Sequence, residues 1–426
     1  MKKIFKKTYI ALFNNIWFYP SFIAILGLVI AVGISYAETR GLSSYVMERI
    51  PQIIIDNKDT SLTVLSTLIG SLISIMVFSF SMVMILLNQA SSNFSPRLLP
   101  GLVSDRKHQI VLGVYLATII YCLFIMVSIK DINSKTDLPG FSVLLAIFFM
   151  IVCLFAFIYF IHTISQTIQV GNILEKVFHT GCSRLNSLIE NERKHDFTKD
   201  TLPQFDQWKT YPSKKSGYFQ QLFLEDLLEI LKEHDIQLRM LAFKGKFVLE
   251  GSNLFQLSKE ASEEIIEKIY ASMIYSNSEL IKENYLHSFK QITEIGIKAM
   301  SPGINDPGTM LNSLDYLAQL FERRMKKNDI EIHFEEENPL IFYNSISFNT
   351  LLHNILISIR TYCSHDLLVI KKTSNMLNEL LTLTSEKDSY YKDIKAEIES
   401  LRKNFTLNDN VLEDDKNELD NLISID

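Results

Sequence analysis

LTVLSTLIGSLISIMVFSFSMVMILLNQASSNFS, residues 62–95, decides the fold. Between Asp59 and Arg97 there are 37 consecutive residues without a charge, against the roughly 20 that cross a bilayer as a helix. Drawn as one α-helix, the stretch reaches roughly 51 Å at ~1.5 Å per residue, well beyond a hydrocarbon layer about 30 Å thick. Its polar residues keep to one side. Thr67, Ser74, Ser81, Asn88 and Ser95 recur at every seventh position, with Thr63, Gly70, Gln89 and Ser92 on adjoining rows. At ~100° per residue they lie within about 120° of one another, and Ser79 falls outside the stripe.

Two readings fit such a seam. Small and hydroxyl residues at this spacing let membrane helices pack closely. Alternatively they line a water-filled path, with Phe78 and Ile85, which alternate with Ser74, Ser81 and Asn88, as dry constrictions between wetted rings. Asn88 and Gln89 are more polar than close packing requires, which favours the path. The candidate pore-lining residues are therefore Thr67, Gly70, Ser74, Phe78, Ser81, Ile85, Asn88 and Ser92.

Outward from this helix the chain supplies three more spans. A basic lead-in with Lys2, Lys3, Lys6 and Lys7 runs into an interfacial Trp17, Tyr19 and Pro20 and a first span at about 16–37. The second span is 62–87, the third 110–129 and the fourth 141–162. No small-residue cleavage site follows the first apolar segment, which marks it as a retained helix and not a signal peptide. Pro96 disfavours helix at Ser95, so the long helix should end or kink there. Arg97, Arg106 and Lys107 then gather at one mouth, as headgroup anchors or ion selectors. Together with the basic N-terminus they place both termini in the cytoplasm of a multi-pass inner-membrane protein. The fourth helix keeps helical spacing past His162, Gln166 and Gln169 to Glu175, so it and the second are expected to project from the bilayer.

The expected fold is mainly α: a four-helix transmembrane domain over 1–180 with long helices extending into the cytoplasm, then a linker (181–215), a small β module (216–258), a helical cytoplasmic domain (259–403) and an acidic tail (404–426). In the β module the run GKFVLEG, 245–251, resembles half of a lipoyl- or biotinyl-carrier sandwich, without the neighbours of a modifiable lysine. From Ala261 the chain reads as helical almost to its end. At SPGIND, 301–306, a helix breaks, and Asp306-Pro307 restarts one as N-cap and first helical residue. Ser301, Asn305 and Asp306 are candidate ligand-loop residues there, although a helix–loop–helix corner accounts for the same pattern.

Composition narrows the function. Mean hydropathy is +0.13 and 47% of residues are hydrophobic, a share concentrated in the first third of the chain. Net charge is −6, and the tail, with seven acids against Lys416, carries all of it, so the rest shows no nucleic-acid footprint. The four cysteines, Cys122, Cys153, Cys182 and Cys363, form no CxxC pair, and neither a disulfide framework nor a metal site is expected. No GxSxG, GxGxxG, P-loop or HExxH occurs, so neither an enzyme nor a cofactor is expected.

Three stretches carry a resemblance: LLNQASSNFSPRLLPGLVSDRKHQIVLGVYLATIIYCL (86–123), FIYFIHTISQTIQVGNIL (157–174) and AMSPGINDPGTMLNSLDYLAQL (299–320). Together they resemble a bacterial family of predicted membrane proteins known as domain of unknown function 2254. The resemblance implies a four-helix membrane part and a cytoplasmic C-terminal region, and no activity. One seam per four-span protomer offers too few polar groups to enclose a path. The expectation is therefore a homo-oligomeric pore, channel or channel-like transporter for small ions, with a membrane-anchored sensor or scaffold as the alternative.

Overall fold

The long uncharged run folds as one helix in a computed structural model of the chain. The structure describes residues 17–43, 45, 57–93, 106–129, 140–167, 169–194, 202–276, 284–335, 338–386 and 388–406. The chain divides into two compact units, Met1–Asn172 and Ile173–Asp426.

The first unit holds four helices long and apolar enough to cross a membrane. They are α1 (Phe18–Glu38), α2 (Lys58–Asn93), α3 (Arg106–Ser128) and α4 (Gly140–Thr167). Helix α2 starts where Asn57 Oδ1 accepts the Thr60 amide at 3.0 Å, and Asp59 complements its dipole in the first turn. Its 36 residues make it the longest of the four. Helix α4 stops short of its expected extension to Glu175. It ends at Thr167, and Asn172, early in the next helix, donates its side-chain amide to the Gln166 carbonyl at 2.7 Å. A side chain that satisfies an orphaned terminal carbonyl lets the helix end there.

Large apolar side chains cover much of the outward surface of these helices, with Val77, Phe80, Phe155 and Ile158 all exposed, as suits a surface facing hydrocarbon. Inside, two clusters hold the bundle. Ala31, Leu65, Tyr121, Ile125 and Val143 form one, and Leu72, Tyr115, Ile119, Cys153 and Phe160 the other. Helices α1 and α3 cross closely because small residues meet there. A β-carbon on Gly27 would lie 2.7 Å from the Ala117 side chain, and one on Gly113 would lie 2.9 Å from Ile23. Gly27→Val should therefore destabilise the purified protein by about 1–3 kcal/mol, the usual cost of overpacking. Gly33→Val, which meets nothing within 4 Å, is the control. Equal melting of the two variants in detergent would show that the crossing tolerates bulk.

The second unit opens with α5 (Val170–Lys194), whose buried stripe includes Ile173, Val177, Phe178 and Leu185. Helix therefore occupies 181–194 of the stretch expected to be a linker, and strand β1 (Lys209–Pro212) falls within it too. The apolar spacing had continued through Leu185 and Ile189, beneath a charged ending that looked like a loop. The β part holds β2 (Gly217–Leu222), α6 (Leu224–Glu233), β3 (Leu238–Met240), β4 (Phe247–Val248), β5 (Asn253–Leu257), α7 (Glu263–Ser272) and β6 (Met273–Ser276). Helices α8 (Tyr285–Ala299) and α9 (Pro307–Arg324) follow.

Then the chain returns to strand, as β7 (Ile330–Glu335) and β8 (Asn338–Asn344), in a region expected to be wholly helical. The reason is periodicity: Ile330, Ile332 and Phe334 alternate with Glu331, His333 and Glu335, a period of two that a helix cannot use. The two strands complete a five-stranded sheet of order β1-β5-β3-β8-β7, in which β3 and β8 run parallel and the other pairs antiparallel. Strands β4, β2 and β6 make a separate three-stranded sheet. The GKFVLEG run thus supplies β4 to this small sheet, and the chain after it supplies β5 to the larger one.

Helices α10 (Phe348–Cys363), α11 (Leu367–Thr382) and α12 (Ser389–Thr406) complete the fold. The Phe289, Phe321 and Phe348 rings meet at 4.7 and 5.9 Å and tie α8, α9 and α10 together. The fold is mostly helical: four candidate membrane helices, a β module and further helices.

Candidate functional site

On α2 the structure sorts the residues by face. Ser79 is fully buried in the bundle, with Leu65 and Leu72. Thr67, Gly70, Ser74, Phe78, Ser81, Ile85 and Asn88 are all exposed, so the polar seam points away from the other three spans. A β-carbon on Gly70 would meet nothing within 4 Å, and its smallness serves no contact inside the protomer. Phe78 and Ile85, at 51% and 59% exposure, stand among the small polar residues as large apolar steps. The Phe78 ring also touches Phe157 of α4 at 5.9 Å.

The hydroxyls on this face are partly satisfied by their own helix. Thr63, Thr67 and Ser74 donate to the carbonyls of Asp59, Thr63 and Gly70 at 2.7, 2.8 and 2.9 Å. Such back-bonding lets the face meet lipid, protein or water with little penalty on the donor side, and leaves each oxygen able to accept. Ser92 belongs to α2, and Arg97 lies outside the described residues. Arg106 and Lys107 open α3, where the Arg106 guanidinium lies 5.7 Å from the centre of the Tyr19 ring, a hold between the starts of α3 and α1.

The 301–306 loop is built as a corner. Both Asp306 oxygens are engaged by Thr309, Oδ1 accepting its amide at 3.1 Å and Oδ2 its hydroxyl at 2.6 Å. The Ser301 carbonyl accepts the amides of Ile304 and Asn305, and Asn305 takes a left-handed φ of 49°. Pro307 is the first residue of α9.

A polar cluster that sequence reasoning passed over closes the other side of the bundle. Glu38, the last residue of α1, accepts the amide and hydroxyl of Ser43 on Oε2 (3.1 and 2.6 Å). On Oε1 it accepts the amide and hydroxyl of Ser142 (2.9 and 2.7 Å). Ser43 Oγ in turn accepts the Phe141 amide at 3.0 Å, and the Tyr121 hydroxyl donates to the Ser142 carbonyl at 3.0 Å. The carboxylate thus caps the start of α4, where free amides and the helix dipole favour negative charge. Its signal in the sequence is an isolated acid closing an apolar span.

The chain is 23% identical over 331 residues to uncharacterized protein Rv1290c of Mycobacterium tuberculosis and, to the same degree, to uncharacterized protein Mb1321c of Mycobacterium bovis. The match covers 74% of this chain and 62% of each relative, so the chain spans less than two thirds of the proteins it resembles. No solved structure matches. With four apolar helices in its first unit and a family model matching residues 14–379, the chain belongs to the family of predicted membrane proteins DUF2254.

Proposed function

We propose that this membrane protein is a homo-oligomeric pore, an ion channel or channel-like transporter, with α2 of each copy lining the path and the second unit regulating access. One observation carries the reading: the seam from Thr67 to Asn88 is exposed on the protomer, and a β-carbon on its Gly70 would meet nothing within 4 Å. A polar stripe within an apolar helix belongs against protein or water. Symmetry turns each seam residue into a ring, so Ser74, Ser81 and Asn88 alternate with apolar rings of Phe78 and Ile85. No catalysis is invoked. A membrane-anchored scaffold is the second reading, and the back-bonded hydroxyls of Thr67 and Ser74 favour it, since they suit a dry interface.

Flux measurement on reconstituted protein separates the two. Phe78→Ser and Ile85→Asn should raise resting conductance several-fold, while Ser79→Ala, on the buried face, should leave it unchanged. Unchanged flux through intact oligomers of both variants would retire the pore and leave the scaffold.

The same reading puts the protein in the inner membrane with both termini in the cytoplasm. External thiol labelling of single-cysteine variants should reach 40–58 and 131–138 and spare 101–107 and 200–426. Strong external labelling within 101–107 would invert the topology.

A further inference from the structure

Within the second unit a small cavity of about 20 Å³ has charged walls. Arg184 of α5, Lys244 of the turn before β4 and Glu331 of β7 face it. Asn284, Tyr285 and Ser345 complete the polar part of its lining. These residues lie far apart in the chain. Asn284 caps α8, its Oδ1 accepting the Leu286 amide at 3.0 Å and its Nδ2 donating to the Lys244 carbonyl at 2.8 Å. The Tyr285 and Ser345 hydroxyls share a hydrogen bond of 3.0 Å. The first turn of α8 therefore forms part of the wall.

The charges do not balance. Glu331 lies 3.7 Å from Lys244 and 3.6 Å from Lys327, which is fully buried. Glu192 lies 3.6 Å from the same Lys327. Two carboxylates thus serve two lysines. Arg184 is a third cation, and among the described residues it has no carboxylate within 4 Å and no hydrogen-bond partner. An uncompensated charge in a partly buried site is costly, and a counter-charge relieves that cost.

We propose that this cavity binds a small inorganic anion, held by Arg184 and Lys244 at the start of α8, with Asn284, Tyr285 and Ser345 as polar neighbours. Its size suits one ion of the chloride class, since a single water already needs about 10–15 Å³. A guanidinium, an ammonium and a helix N-terminus are the groups that recognise anions.

Two nearby titratable groups sense the same positive field. Burial pushes the Glu331 carboxyl up, yet Lys327, Lys244 and Arg184 more than reverse this and hold it below the usual range. The His333 imidazole is pushed down to about 4 by burial, then by Lys244, with Arg184 acting in the same direction. Burial raises the Glu192 carboxyl, against the pull of Lys327.

The site depends on the second unit alone and stands or falls separately from the pore. Its test is thermal unfolding of the full-length protein in detergent at constant ionic strength, with chloride replacing gluconate. A second series uses inorganic phosphate. Chloride should raise the melting temperature saturably by about 5 °C, as one specific site near saturation does. Arg184→Gln should abolish the rise. A rise with phosphate alone keeps the site and assigns it to an oxyanion. Equal shifts with chloride and gluconate, and none with phosphate, overturn the proposal, and so does a saturable rise that survives in Arg184→Gln. Should that variant not fold, Lys244→Gln decides in the same way. If neither variant folds, the wild-type selectivity for chloride or phosphate over gluconate decides.

Discussion

Arg324→Met should destabilise the second unit by about 3–5 kcal/mol and lower its melting temperature by roughly 6–15 °C. Arg324 closes α9 and is fully buried. Its guanidinium donates to the Lys327 carbonyl at 2.9 Å and the Ile346 carbonyl at 2.8 Å, and it pairs with Asp329. It thereby joins the end of α9, the start of β7 and the segment leading into α10. Burial opposes its charge, and Tyr285 and Asp329 more than offset that, so the guanidinium is held firmly charged. Methionine would fill much of the volume but remove the donors to the Lys327 and Ile346 carbonyls and leave Asp329 without its partner, at about 1–3 kcal/mol for each lost bond. Arg324→Lys should recover only part of the loss, because an ammonium on a flexible stem cannot match a planar fork. Neighbouring Arg323 makes an internal comparison: Arg323→Met should shift the melt by no more than a degree or two. Similar melts for the two methionine variants would remove Arg324 from its structural role.

Acidification from pH 7 to about 4.5 should cost the folded protein about 2–3 kcal/mol through His333 alone. The sign follows from proton uptake. The folded imidazole titrates at about 4, against an ordinary value of 6.5 in the unfolded chain. Between those values the unfolded state binds the proton and the folded state does not, so stability falls as pH drops through the window. Glu331, also held below its ordinary range, acts in the same direction. His333→Phe preserves the edge contact with Tyr343, which lies 5.3 Å away, and removes the titration. At fixed chloride, unfolding free energies of the variant should lose that much of their pH dependence. Parallel curves for wild type and variant would show that His333 titrates normally.

Much of this architecture was legible because single-sided and uninterrupted apolar patterns have few solutions. The four spans are of that kind, and so is the Asp306-Pro307 restart, where an acceptor and a donorless residue meet at a helix start. The side of α2 that would carry the seam was legible as well, since Ser79 and the Thr67–Asn88 stripe need only helical geometry to separate. The β7–β8 hairpin was missed between long helices, although Ile330, Ile332 and Phe334 kept a period of two.

Arg324 was hidden in FERRMKK, which reads as a solvated basic run. Its signal was register: Met310, Leu314, Leu317, Phe321 and Arg324 occupy one buried face of α9. No local pattern could have shown the anion cavity, because Arg184, Lys244 and Glu331 meet only through the tertiary fold. Burial then supplies the energetics that sequence cannot, since the same arginine on a surface would contribute almost nothing.

The Glu38 clamp sets a timetable for synthesis. Ser43 follows Glu38 almost at once, but Ser142 lies 104 residues further along the chain. At about 5–20 residues per second, roughly 5–20 s pass between the emergence of the carboxylate and that of its second pair of donors. Late in that interval, once Gly113 has been made, the α1–α3 crossing at Gly27 and Gly113 can form while α1 still lacks its link to α4. The bundle is latched last, by the start of its final span, on a charge laid down with its first.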